Sequence, residues 1–110
     1  RRVLLARSLV MRPQAVILDE PTAGLDILAR ASFLCELNSL ANSGVQIILV
    51  THHLEEILPC IDRTILLKTG KVFLDCPTNI AICEESVSSL FGTRIRVDRD
   101  GSGFYHSRLA

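Results

Sequence analysis

The chain has 110 residues, 12 Lys and Arg balance 12 Asp and Glu, and 48% of the residues are hydrophobic. This composition supports a packed core and excludes a disordered chain, which combines low hydrophobicity with high net charge. The neutral charge disfavours a nucleic-acid-binding protein, and no apolar run approaches the roughly eighteen residues of a membrane helix. The sequence begins with Arg1 and its only methionine is Met11, so we expect a fragment of a longer protein.

The first half of the chain is predicted to alternate between helix and strand. Apolar residues at near-helical spacing predict a helix over residues 1–10, which ends at the Arg12-Pro13 step. The continuous apolar run over residues 15–18 predicts a strand covered on both faces, as in parallel sheets. Asp26 is expected to cap a helix over residues 27–41, which ends before Gly44. A second buried strand over residues 45–50 completes a strand-helix-strand unit. The predicted apolar side of the middle helix comprises Leu28, Ala31, Phe33, Leu34, Leu37 and Leu40.

The second half is predicted to contain two β-hairpins with a helix between them. A short helix over residues 54–58 comes first. Strands over residues 64–67 and 72–74 then flank a polar turn that contains Gly70. Residues 78–91 are predicted to form one helix, with Gly92 as its terminator. Strands over residues 94–97 and 104–106 form the second hairpin.

Two adjacent carboxylates follow the first predicted strand. Open α/β sheets bind ligands at the carboxyl ends of their strands, where Asp19 and Glu20 stand. Neighbouring strand residues point to opposite faces, so we expect different tasks for the two acids. Such an Asp can hold Mg²⁺ in phosphoryl transfer, while another group orients the attacking water. A strand end with merely solvated acids is the more frequent explanation of a lone Asp-Glu pair.

A histidine after the second strand strengthens the functional interpretation. The strand ends at Thr51-His52, and a parallel neighbour would bring His52 to the same sheet edge as the acids. Imidazole can donate a hydrogen bond to a phosphate oxygen. The adjacent string HHLEE lacks the H-E-x-x-H spacing of a metal site, and we expect Glu55 and Glu56 to stabilise a helix N-terminus instead.

The strings ILDEPTAGLD and ILVTHHLEEI together resemble the C-terminal half of an ABC-type ATPase subunit. The string RRVLLARSL at the start looks like the helix that follows the signature loop of this family. The resemblance covers residues 1 to about 75 well and the remainder loosely. It implies an α/β fold, a P-loop NTPase core with three layers and a mainly parallel sheet, truncated at the N-terminus and carrying a C-terminal β-hairpin. Residues 1–110 would be the C-terminal part of a nucleotide-binding domain, with a core over 1–75 and an accessory tail over 76–110.

The resemblance also implies roles for individual residues, with ATP and Mg²⁺ as cofactors. Asp19 resembles the Walker B aspartate, which holds Mg²⁺ through water, and Glu20 resembles the catalytic glutamate. Gly24 and Asp26 belong to a segment like the D-loop, which contacts the nucleotide site of the partner subunit. His52 resembles the switch histidine at the γ-phosphate, although His53 stands where many members have Asp and leaves the choice of histidine open.

The family's phosphate-binding loop, signature loop and glutamine loop do not occur in these 110 residues. No G-x-x-x-x-G-K-[ST] pattern is available to hold phosphates through backbone N–H groups and a lysine. We therefore expect ATP hydrolysis in the full-length protein and weak or no nucleotide binding by the 110 residues alone. Uncovered strand edges would also favour aggregation of the isolated piece.

The implied function is ATP hydrolysis that powers transport across a membrane. A second ATPase subunit in a head-to-tail dimer and transmembrane permease subunits would be the partners, and no nucleic acid is expected. The protein would lie in the cytoplasm, on the inner face of the membrane through the permease. The strings THHLEEI and LFGTRIRV look most like ATPases of bacterial importers for iron complexes or molybdate-like anions. Two alternatives stay open: a non-transport ATPase of the same superfamily, in DNA repair, chromosome condensation or translation, and an inert segment that only makes protein contacts.

Overall fold

The computed structural model describes residues 14–110, which form two compact units. The first unit ends at Cys60 and the second comprises Ile61–Ala110. The helix predicted over residues 1–10 lies outside the described residues. The division into a core over residues 1–75 and a tail over 76–110, which the family resemblance implies, stays a prediction.

The first unit contains the predicted strand-helix-strand arrangement. Strand β1 (Ala15–Asp19) and strand β2 (Gln46–Val50) pair in parallel, and helix α1 (Ile27–Asn42) connects them. The register runs from Ala15 opposite Gln46 to Asp19 opposite Val50. Because the two strands end level with each other, the loops that follow them start at the same edge of the pair.

Helix α1 begins and ends as its capping residues predict. The Asp26 carboxylate accepts a hydrogen bond from the backbone N–H of Ala29 at 2.8 Å, which satisfies one of the free donors of the first turn. Gly44 follows the last turn with φ 106°, a conformation that favours glycine. The predicted apolar side is only partly buried: Phe33 is 1% exposed, whereas Leu28 is 82% exposed, because no described residue covers the first turn.

Strand β1 is covered on one face only, which corrects the expectation that both faces are buried. Val16 is buried and Ile17 is 70% exposed. Successive strand residues alternate between faces, and Ile17 pairs with Ile48, which is also exposed. The two-stranded pair therefore has one face that is buried at Val16 and half-buried along β2, and one exposed apolar face. The buried apolar residues of the first unit include Val16, Phe33, Leu34, Leu37, Leu54, Ile57 and Leu58.

The second unit begins with the first predicted hairpin. Strand β3 (Arg63–Lys68) and strand β4 (Lys71–Pro77) are antiparallel, with a register shift between Leu66 and Leu67. The turn residues Thr69 and Gly70 both have positive φ, 49° and 75°. A two-residue loop of this kind matches the twist of its flanking strands. The prediction of a hairpin here is confirmed.

The single helix predicted over residues 78–91 is two helices. Helix α2 (Thr78–Ala81) ends at Ile82, and helix α3 (Glu84–Phe91) starts anew after Cys83. Cys83 has an extended backbone, and its sulfur accepts from the backbone N–H of Ser86 at 3.5 Å. Two acidic residues in the first turn favour a helix start at this point. The predicted terminator is confirmed, since Gly92 is left-handed with φ 71°.

The second predicted hairpin is present and contains the last two strands described. Strand β5 (Ile95–Arg99) and strand β6 (Tyr105–Leu109) are antiparallel. The Asp100 carboxylate accepts from the backbone N–H groups of Ser102 at 2.8 Å and Phe104 at 3.1 Å, which fixes the loop between them. Across residues 14–110, neither α1 nor a shorter helix has the length and apolar character needed to cross a bilayer.

Candidate functional site

The candidate site lies at the edge where β1 and β2 both end. Asp19 and Val50 are opposite each other in the register, and the backbone N–H of Glu20 donates to the carbonyl of Val50 at 2.8 Å. This hydrogen bond extends the pairing by one residue beyond β1. It holds the backbone of Glu20 beside the residue that precedes Thr51.

Glu20 has a left-handed backbone conformation, with φ 46°. This region is uncommon for a residue other than glycine and costs of order 1–3 kcal/mol. Since Glu20 lies after the strand, strand alternation does not set the direction of its side chain. The expectation that alternation separates the tasks of Asp19 and Glu20 therefore does not hold, although the two acids do differ in backbone conformation.

The structure brings Glu20 and His52 together. Oε1 of Glu20 contacts Nδ1 of His52, and the two side chains are 43% and 63% exposed. The His53 ring lies 4.1 Å from the His52 ring, tilted by 40°. The backbone N–H of His53 donates to Oγ1 of Thr51 at 3.0 Å. Of the two adjacent histidines, His52 therefore has its imidazole against the Glu20 carboxylate, and it stays our prediction for the switch histidine.

The remaining predicted site residues lie on the turn between β1 and α1 or at the end of β1. Asp19 is exposed. Gly24 has φ 80°, and no heavy atom lies within 4 Å of where a Cβ would stand, so its backbone conformation rather than space favours glycine. The Asp26 carboxylate is engaged in capping α1. The contact of Gly24 and Asp26 with a partner's nucleotide site stays a prediction.

The sequence interpretation missed Glu56 as part of this site. Its side chain is fully buried, and Oε2 accepts from both the backbone N–H of Thr22, at 3.1 Å, and the Thr22 hydroxyl. Oε1 accepts from the Thr51 hydroxyl. The expectation that Glu56 stabilises a helix N-terminus is wrong, because this carboxylate binds the two loops instead and the helix here is a 3-10 turn of three residues, Leu54–Glu56.

The hydrogen bonds keep the Glu56 carboxylate charged in spite of its burial. Burial alone would raise the pKa of Glu56, but the hydrogen bonds from Thr22 and Thr51, with the nearby His53, outweigh it. The pKa of Glu56 therefore lies below its ordinary value. Three donors satisfy both carboxylate oxygens, which is what a buried anion requires.

A self-contained metal site is absent from residues 14–110, where no three His, Cys, Asp or Glu side chains are grouped to hold an ion. Asp19 contributes a single exposed carboxylate at the sheet edge.

Comparison with known proteins identifies the class of this domain. A family model described as "AAA domain, putative AbiEii toxin, Type IV TA system" matches residues 1–58, just over half of the chain. A solved structure described as "An inward-facing conformation of a putative metal-chelate type ABC transporter" has a TM-score of 0.81 at 23% identity, over 98% of this chain and 44% of that chain. The fold is thus α/β, as predicted, and is similar to part of that transporter structure.

Curated relatives make the assignment narrower. The chain is 41% identical over 99 residues to the uncharacterized ABC transporter ATP-binding protein YlmA of Bacillus subtilis (strain 168), covering 88% of this chain and 38% of that protein. It is 41% identical over 76 residues to the energy-coupling factor transporter ATP-binding protein EcfA2 of Clostridium perfringens (strain 13 / Type A), covering 68% of this chain and 27% of that protein. The chain belongs to the AAA-domain family, among the ATP-binding proteins of ABC transporters, and spans well under half the length of these relatives.

Proposed function

We propose that these residues form the C-terminal part of a nucleotide-binding domain that hydrolyses ATP to power transport across a membrane. The contact between the Glu20 carboxylate and the His52 imidazole carries the proposal. A carboxylate can accept a proton from an attacking water, and an imidazole can donate to a phosphate oxygen. The family membership supports ATP as the nucleotide.

Glu20 is proposed as the residue that activates water. Its side chain is 43% exposed, so water can reach the carboxylate oxygen that does not face His52. The left-handed backbone and the hydrogen bond to Val50 hold the carboxylate at the strand end, which limits the freedom that a loop residue would otherwise have. A general base of this kind contributes about 10²- to 10⁴-fold to the rate.

His52 is proposed to contact the γ-phosphate through Nε2. Nδ1 faces Glu20, which leaves Nε2 as the ring nitrogen directed elsewhere. A doubly protonated imidazole donates from both nitrogens, so it can bridge the Glu20 carboxylate and a phosphate oxygen. The histidine would then align the water-activating group with the phosphate that is attacked.

Asp19 is proposed to hold Mg²⁺ through water. Mg²⁺ usually keeps several waters and is bound by one or two carboxylates together with substrate phosphates. The one exposed carboxylate of Asp19 at the sheet edge fits that requirement. When bound with ATP, the ion neutralises charge on the phosphates.

The proposed domain needs further parts to bind ATP. The 110 residues contain no G-x-x-x-x-G-K-[ST] loop, so we propose that alone they bind nucleotide weakly and do not hydrolyse it. Gly24 and Asp26 would contact the nucleotide site of a second ATPase subunit in a head-to-tail dimer. Calorimetry of the 110 residues with Mg-ATP tests this point, and tight binding would contradict it.

The membrane side of the function is proposed from the family. The domain would lie on the cytoplasmic face of the membrane, held there by transmembrane permease subunits. Import of iron complexes or molybdate-like anions is the narrower form of the proposal, and it depends on the strings THHLEEI and LFGTRIRV alone. Uptake of labelled ferric chelates and of molybdate by the assembled transporter would test it, and uptake of neither would overturn this substrate class.

Replacement of Glu20 tests the hydrolytic role. In the complete nucleotide-binding domain, Glu20→Gln keeps the size of the side chain and removes its charge. We expect phosphate release to fall at least about 100-fold while Mg-ATP binding is retained. Glu36→Gln, an exposed position on α1, makes the same charge change and is expected to leave turnover intact. Undiminished hydrolysis by Glu20→Gln would overturn the proposal.

A further inference from the structure

A buried carboxylate joins the two loops that carry the proposed hydrolytic pair. Glu56 accepts from the hydroxyl and the backbone N–H of Thr22 on one oxygen, and from the Thr51 hydroxyl on the other. Thr22 follows Glu20 by two positions, and Thr51 directly precedes His52. Glu56 is therefore hydrogen-bonded to a residue that lies close in sequence to each member of the pair.

The exposed pair needs such support. Glu20 and His52 are 43% and 63% exposed, so little packing constrains their side chains. Glu56, in contrast, is 0% exposed and Thr22 is 2% exposed. Hydrogen bonds to a buried charge are stronger than those between neutral groups, and breaking them leaves an unsatisfied anion in the interior. The rigid connection between the loops is thus the buried one.

The hydrogen bonds continue beyond Glu56 toward the histidines. The Thr51 hydroxyl has one proton, which it donates to Glu56, and the same oxygen accepts from the backbone N–H of His53 at 3.0 Å. Glu56 therefore orients the Thr51 hydroxyl, and that hydroxyl in turn fixes the backbone on the far side of His52. The segment from Thr51 to His53 is held at both ends.

We propose that Glu56 is a positioning residue for the hydrolytic pair. It fixes the turn after β1 to the segment after β2, so that the Glu20 carboxylate and the His52 imidazole stay in contact. Glu56 does not touch the nucleotide in this proposal. The inference rests on the proposed function, because it assigns Glu56 a part in the reaction of the same site.

The test compares Glu56→Gln with Glu55→Gln in the complete nucleotide-binding domain. The amide in Glu56→Gln removes the charge and places a donor where one of two acceptors stood, so the three charge-assisted hydrogen bonds from Thr22 and Thr51 cannot all be kept. A displacement of about 1 Å costs up to about 100-fold in rate, so we expect kcat to fall about 10- to 100-fold. KM for Mg-ATP should change by less than about threefold, since the loss concerns the reaction rather than nucleotide binding. Glu55→Gln, the same change at the next residue, should keep kcat.

Variants at Thr51 separate positioning from general stability. Thr51→Ser retains the hydroxyl that donates to Glu56 and should keep kcat within about threefold. Thr51→Val has nearly the same size without the hydroxyl, so its kcat should fall as in Glu56→Gln. Circular dichroism establishes which variants are folded, and if Glu56→Gln is not, the Thr51 pair decides the question.

The outcomes distinguish this inference from the proposed function. Full kcat in folded Glu56→Gln or Thr51→Val, with Glu20→Gln inactive, would overturn the positioning role and leave the proposed function standing. An equal loss in Thr51→Ser and Thr51→Val would also overturn it, because the hydroxyl would then not be the cause. Absence of hydrolysis in the unmodified domain with its partners would overturn the proposed function and the positioning role together.

Discussion

Thr22 and Glu56, 34 residues apart in the sequence, are joined by two hydrogen bonds to a single carboxylate oxygen. Both residues are buried, so these bonds form in an environment where water cannot replace them. They connect the turn after β1 to the segment after β2 within the first unit. Thr22 follows Glu20 in the first loop, and Glu56 follows His52 in the second, so the connection joins residues that come shortly after the exposed pair in each loop.

Acid should weaken the protein through Glu56. The pKa of Glu56 lies below its ordinary value in the folded protein, so on acidification the unfolded chain takes up the proton first. The stabilisation by Glu56 is therefore present above about pH 4.5, the ordinary value, and is lost as the pH falls through the lower pKa of the folded protein. Urea unfolding midpoints of the intact protein between pH 7 and pH 3 measure this loss.

The comparison with Glu56→Gln isolates the contribution of this residue. Asp75 and Asp100 also have lowered pKa values, from Arg63 and His106 respectively, so other carboxylates contribute to the acid response. The variant cannot lose a charge at position 56 and should show a shallower fall in stability below pH 4.5. Parallel curves for the two proteins would contradict a special role of Glu56 in the acid response.

Local sequence patterns were sufficient for most of the elements. Apolar runs followed by capping residues predicted β1, α1 and β2, because Asp26 and Gly44 act on the backbone within a few residues of themselves. The break in the helix at Cys83 was not predictable from apolar periodicity, which continues through it. At the break the Cys83 sulfur caps the new helix weakly, and cysteine is seldom counted among the residues that cap helices.

The site was predictable to the extent that parallel strands end together. Level strand ends imply that Glu20 and His52 are neighbours, and they are in contact. Glu56 could not be found in this way, because its donors on the other loop lie 34 residues earlier. An acid four positions after a strand-end histidine, with a threonine after each strand, is the sequence pattern that would have indicated it.

Removal of the cap of α1 should cost a moderate amount of stability. Asp26→Ala removes the acceptor for the backbone N–H of Ala29 and should lower the free energy of unfolding by about 1 kcal/mol. Asp26→Ser retains a capping oxygen and should lower the free energy of unfolding by only a few tenths of that amount. Amide hydrogen exchange at Ala29 measures the effect locally: faster exchange in the alanine variant is expected, and equal rates in the two variants would show that the cap has no energetic role.

Glycine substitution at the end of α3 should reveal a purely conformational cost. Gly92 is left-handed, with φ 71°, its backbone N–H donates to the carbonyl of Ser88 at 2.9 Å, and no heavy atom lies within 4 Å of the position of a Cβ. Gly92→Ala introduces no clash with another residue, so its expected cost of about 1–2 kcal/mol comes from the backbone alone. Gly101→Ala is the matched control, since Gly101 also has open space around it but no positive φ. That variant should be neutral or slightly stabilising, because alanine reduces the freedom of the unfolded chain. Urea denaturation of both variants measures the difference, and equal stability of the two would contradict a left-handed Gly92.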